Sequence, residues 1–229
     1  MKYKFYLFII LVFFIAFGCA KKPEKKMRNG YVKKYEYFQD GQTKSKTVYL
    51  GDKRWGSHKV YYRQWRIRLK ENYFDDKKEG KSTAYYDKGQ KRSVINYKNG
   101  KREGVAKWYY STKALMIVAS YKDGKLEGES LHYDQIGRLR RKGTYKNGVL
   151  EGLEENYYVD GKNFLTTEFV AGKIEGTQKM FHENGVVLQS ELEYVEGIKE
   201  GRLKLYDEKG VLLKTISYVN DEKVTKDPQ

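Results

Sequence analysis

The 229 residues include a single cysteine, Cys19, so no disulfide can form within the chain. No Gly-x-Ser-x-Gly elbow and no phosphate-cradling Walker loop occurs, which removes the commonest sequence signs of a serine hydrolase or a nucleotide hydrolase. The three histidines, His58, His132 and His182, fall in no metal-ligand spacing. We therefore read no catalytic residue, no metal site and no cofactor, and we expect a protein that is not an enzyme. Hydrophobic residues make up only 39% of the chain, and the N-terminal segment takes many of them. The remainder cannot fill one thick aliphatic core. Proline is scarce, with 2 residues, whereas tyrosine and glycine each reach 22. That balance suggests half-buried strands joined by tight turns.

Acidic charge is in deficit. The formal charge is +16, and a chain starting at Cys19 would carry about +14 because Lys2 and Lys4 precede it. A surface of this kind favours anionic partners, although basic surfaces also serve solubility alone. Acids are interspersed, mostly at fixed intervals, so no separate basic domain stands out.

Residues 1–18 have a signal-peptide pattern: Lys2 and Lys4, then an apolar run from Phe5 to Gly18. The run is shorter than the roughly 20 residues a membrane span needs. The stretch Ala16-Phe17-Gly18-Cys19 resembles a bacterial lipobox, although Phe17 is bulky for that pattern. The resemblance implies cleavage before Cys19 and lipidation of its thiol, and so a membrane partner through an N-terminal acyl anchor. Residues 19–29 are then expected as a basic tether whose lysines suit an anionic membrane surface. Ala20 is not the Asp that retains such lipoproteins in the inner membrane. The expected location is an exported, membrane-anchored lipoprotein of the cell envelope, in the outer membrane where one exists.

The strongest signal is a period. Glu-Gly pairs end at Gly80, Gly104, Gly128, Gly152 and Gly176, each 24 residues after the last, and Gly201 follows after 25. Gly56 lies 24 residues before Gly80. An aromatic residue follows five positions after each glycine, as at Tyr85, Tyr109, Tyr133 and Tyr157. A second aromatic column follows at seventeen, as at Tyr73, Tyr97, Tyr121 and Tyr145. Asn99-Gly100, Asp123-Gly124 and Asn147-Gly148 are hairpin-turn dipeptides. Turns thus recur about every 12 residues, too often for a helical repeat. The predicted fold is all-β: an elongated antiparallel meander of tandem hairpin repeats in a single-layer twisted sheet. Seven units over residues 56–222 would give about 14 strands, roughly 65 Å at about 4.8 Å per strand. Residues 30–55 are expected as a degenerate capping repeat, and 223–229 as a frayed tail. The two aromatic columns are expected to stack on one face as a thin core.

Because neighbouring strand residues face opposite ways, the residue after the first column should face away from that core. Tyr62, Tyr86, Tyr110 and Tyr158 occupy that place and form the candidate binding face, interrupted by Asp134, His182 and Asp207. The alternative is that these rings brace their cross-strand neighbours. Lys107 and Lys179 should share the face of the first column.

The unit Tyr-Lys-Asn-Gly-Lys-x-Glu-Gly followed by Tyr-Tyr-x-x-Gly, clearest over Tyr97–Tyr110 and Tyr145–Gly161, resembles the MORN-variant repeat of bacterial proteins. The resemblance covers about Gly56 to Glu222. Its members are often labelled YwqK-like antitoxin components of toxin–antitoxin systems. Related MORN repeats are implicated in binding membranes, phospholipids and proteins. Three functions follow as expectations. The first is a lipid-anchored binding or scaffold module with a protein or anionic envelope ligand. The second is an antitoxin-like protein that neutralises a protein partner. The third is an envelope glycan-binding repeat protein, suggested by Trp108-Tyr109-Tyr110 but not by only 3 tryptophans. Nucleic acid fits the charge but not export.

Overall fold

Glycine and asparagine turns close each run of strand residues after six to nine positions, so the chain has no choice but to double back repeatedly. In the computed structural model, which describes residues 25–26 and 28–224, it does so through one sheet. Eight hairpins account for the long strands. They are Tyr31–Tyr37 with Thr43–Leu50, Lys53–Tyr61 with Ile67–Phe74, Gly80–Tyr85 with Lys91–Lys98, and Gly104–Tyr109 with Leu115–Lys122. Lys125–Tyr133 with Leu139–Lys146, Gly152–Tyr157 with Asn163–Val170, Gly176–Phe181 with Leu188–Val195, and Gly201–Tyr206 with Leu212–Val219 complete them. We call these units one to eight. Every pairing is antiparallel, within units and between them.

The register is continuous. One row of directly paired residues runs from Tyr35 through Lys46, Lys59 and Lys70 to Thr83. It continues through Val94, Lys107 and Val118 to Leu131, and ends at Glu191, Lys204 and Thr215. Single-layer packing follows: no large side chain among the described residues is fully buried. The buried positions are mostly small or polar, including Ala84, Ala106, Ala119, Ser82, Ser130 and Thr167. These six sit on one face, here the first face, as in the pair Ala106 and Ala119, while Thr83 is buried on the other.

The expected common aromatic core is not formed, because the two columns lie on opposite faces. Trp108 and Tyr121 meet on the first face with ring centroids 6.3 Å apart. Tyr206 instead donates a 2.7 Å bond to Glu191, which pairs with Lys204 on the second face. The cause is a β-bulge in every unit, as between Ala84 and Tyr85. There two residues of the returning strand oppose one, so an even spacing of 12 no longer keeps side chains on one face. Lys107 and Lys179 do occupy the face of the first column, as expected from strand alternation.

The single extra residue of the array is absorbed in one turn. In other units a four-residue closure is seen, as where Tyr86 N–H donates to the Gln90 carbonyl; in unit seven His182 N–H reaches Val187. Lys113 and Trp65 take the place of turn glycines and adopt φ of 76° and 63°. At the C-terminus, Lys223 and Val224 belong to the strand Glu222–Val224 rather than to a frayed tail. Residues 225–229, the signal segment and Cys19 lie outside the described residues. Within the expected tether, Lys25–Lys26 forms a two-residue strand against Lys33 and Val32.

Candidate functional site

Each candidate tyrosine lies one residue beyond the end of its strand and is half-buried. Its hydroxyl reaches the next unit. Tyr62 donates to the Tyr85 carbonyl at 2.9 Å, Tyr86 to Tyr109 at 2.8 Å, Tyr110 to Tyr133 at 2.9 Å and Tyr158 to Phe181 at 2.7 Å. His182, in the same column, meets the Tyr206 carbonyl through Nε2 at 3.1 Å. Asp134 has no donor to offer and makes no such bond. The column is therefore a set of braces that satisfy a carbonyl at each seam, with part of each ring still facing solvent. The four residues do not converge on a common centre; they recur once per unit along the array.

The Glu-Gly pairs brace the opposite edge. Each glutamate accepts a backbone N–H from the turn of the following unit. Glu79 Oε2 takes Asn99 N–H at 2.8 Å, Glu103 takes Asp123 at 3.0 Å, Glu127 takes Asn147 at 2.8 Å and Glu151 takes Ala171 at 2.9 Å. The adjacent glycine amide also points back, as from Gly100 to the Lys78 carbonyl at 2.9 Å. Asn99 has φ of 51°, so the turn exposes two successive N–H groups that the preceding unit caps. In unit two Trp55 replaces the glutamate and packs on Phe74, ring centroids 4.1 Å apart.

The first face carries two adjoining sets of polar side chains, centred on the buried Thr47 and Glu71. Thr47 is 2.8 Å from His58 Nδ1, and Glu71 accepts bonds from Tyr73 at 2.7 Å and Ser82 at 3.2 Å. Lys78 ion-pairs with Glu71 at 2.9 Å. Burial alone would raise the Glu71 pKa, but the bonds from Lys78 and Tyr73 outweigh it and hold the carboxyl below its ordinary range. Burial pushes His58 and His132 down. Burial and then Glu71 push the Tyr73 hydroxyl up, and burial with Glu155 takes Tyr157 up to about 12. The Thr47–His58 pair joins strands Thr43–Leu50 and Lys53–Tyr61, the Glu71 cluster joins Ile67–Phe74 to Gly80–Tyr85, and the His58 and Tyr73 rings meet edge-on between the two, centroids 5.9 Å apart. A reacting group needs access, and Glu71 is 2% exposed. Its role is structural. Among the described residues no group of three His, Cys, Asp or Glu side chains could hold a metal ion.

Sequence reasoning missed the polar clusters and the bulge. The Tyr-hydroxyl seams had a visible signal, the 24-residue column itself, but not a visible acceptor, because a backbone carbonyl leaves no mark in a sequence.

The geometry can be set beside known proteins. Residues 78–99, 102–123, 174–195 and 199–220 match the MORN repeat variant family. Each matched segment begins at the short strand before a Glu-Gly pair and ends at or just before the following turn. The intervening hairpins of units five and six have the same pairing and the same glutamate-to-turn bonds. No curated protein matches the chain. One solved structure, of a Photorhabdus luminescens Tc holotoxin pore carrying a mutation in TccC3, is similar over 82% of this chain at 11% identity and a TM-score of 0.17. This chain spans 13% of that one, and a score of this size does not establish a shared fold. What pattern and pairing together establish is a region of MORN-variant repeats within an elongated, open β-sheet.

Proposed function

We propose that this protein is a non-enzymatic, lipid-anchored scaffold of the bacterial cell envelope that binds a macromolecular partner along its sheet. The observation that carries the binding half is the open single layer itself. Both faces of the sheet meet solvent over its length, while each unit commits its recurring polar groups to its neighbour. Long flat surfaces suit extended partners better than small substrates. The Tyr62, Tyr86, Tyr110 and Tyr158 rings belong to this proposal as half-exposed contacts whose hydroxyls hold the seams. The anchoring half rests on the lipobox-like residues ending at Cys19. No helix among the described residues is long and apolar enough to cross a membrane.

The test is a Cys19→Ser exchange with radiolabelled fatty acid and fractionation of the producing cells. The proposal expects label and membrane association for the parent chain and neither for the variant. Identical fractionation without label on either chain would refute the anchor.

A further inference from the structure

On the second face the central row changes character along its length. In the C-terminal units its lysines are matched by acids. Lys142 lies 3.6 Å from Glu129 and 3.7 Å from Glu155, and Lys204 is 2.9 Å from Glu191. In units one and two the same row reads Lys46, Lys59, Lys70, each directly opposite the next on adjacent strands. Among the described residues none of these three has an acidic partner; Lys46 lies only over the Tyr35 ring, at 5.7 Å. Like charges directly opposite one another destabilise a sheet. The row is therefore an electrostatic cost that the folded chain does not relieve by itself.

We propose that this row binds a linear anionic polysaccharide of the polyuronate class, laid across the strands. The proposal rests on reading the array as a binding module, but not on where the protein resides. Three features select the ligand. Adjacent strands are about 4.8 Å apart, so the row presents one cation per strand at that interval. A uronic acid polymer carries one carboxylate per sugar ring, and a ring is about as long as that gap. Beside the lysines, on the same face, Tyr61 and Tyr85 are half-exposed and offer aromatic surface for sugar rings, while exposed Asn72 and Asn96 on the other side offer amides for hydroxyls. An extended acidic peptide also carries carboxylates, but it presents neither ring faces to the tyrosines nor hydroxyls to the amides beside the row. Exposed Lys107 continues the row beyond Thr83 and Val94.

The experiment is calorimetric binding of polygalacturonate oligomers to the full chain, in low salt. The parent is compared with a Lys46→Gln, Lys59→Gln, Lys70→Gln variant. A control carries Lys146→Gln, Lys173→Gln and Lys209→Gln, the same loss of charge in the C-terminal half. We expect the row variant to bind roughly ten-fold or more weakly and the control to bind as the parent does. Because the exchanged lysines repel one another, the row variant should melt no lower than the parent, which separates lost binding from lost fold. Equal weakening in both variants would reduce the effect to net charge and overturn the proposal. So would polyglutamate or phosphatidylglycerol vesicles binding as tightly with the same dependence on the row, pointing to an acidic protein or a membrane. Absence of binding to the parent would also overturn it, while leaving the anchored scaffold untouched.

Discussion

The Tyr110 hydroxyl and the Tyr133 carbonyl, 23 residues apart in sequence, lie 2.9 Å apart across a seam. Replacing Tyr86 or Tyr110 by Phe keeps the ring and deletes only that bond. Each exchange should cost about 1 kcal/mol in urea unfolding, the usual net worth of a partly buried hydrogen bond. A loss near zero for both would show that the seams are held by strand pairing alone. Protonation gives a second residue-scale test. His58 is held below its ordinary 6.5, so the fold favours the neutral ring. That contribution is complete above about pH 6.5 and is lost as pH falls through the lowered value. Glu71, held below its ordinary 4.5, adds a contribution present above that value and lost at still lower pH. The melting temperature should therefore fall on acidification, beginning near neutrality and steepening below the carboxylate range. A His58→Gln variant should flatten the upper part of that fall, and an unchanged profile would remove His58 from the account.

At the scale of the element, the repeat is self-sufficient in register but not in contacts, since each turn is capped by the unit before it. Deleting residues 104–127 joins Glu103 to Gly128 and leaves every Glu-Gly pair in phase. The shortened chain should keep a strand-type circular dichroism spectrum and a cooperative melt. Deleting only 116–127 removes one strand, leaves its neighbours running the wrong way, and should abolish folding. Equal tolerance of the two deletions would contradict the hairpin as the unit. The hairpin itself was legible because Asn-Gly and Asp-Gly turns and the 24-residue spacing are local chemistry. The faces were not. The bulge beside Tyr85 depends on how two strands settle against each other, and no residue type marks it. Hence Tyr109 and Tyr121, which look equivalent in sequence, end on opposite sides of the sheet. The buried Thr47, Glu71 and Ser82 and the half-buried His58 were hidden for a related reason: polar residues signal solvent until a partner is in view. The candidate tyrosines were legible as a column, and their hydrogen bonds were not.

For the whole molecule, sixteen long strands in one layer imply a length near 75 Å at about 4.8 Å per strand, somewhat above the length expected from seven units. Such a body has no interior in the ordinary sense. Its stability is distributed over seams, and its two faces are free to differ, with lysines unmatched at one end and matched at the other. The central claim is this open single layer, and small-angle X-ray scattering of a chain spanning residues 28–224 tests it most directly. The account predicts an elongated particle about 75 Å long with the cross-section of one sheet, and a radius of gyration well above the roughly 16 Å of a compact domain of this size. A radius near that compact value, with a symmetric distance distribution, would show that the sheet closes or folds upon itself and would contradict the account.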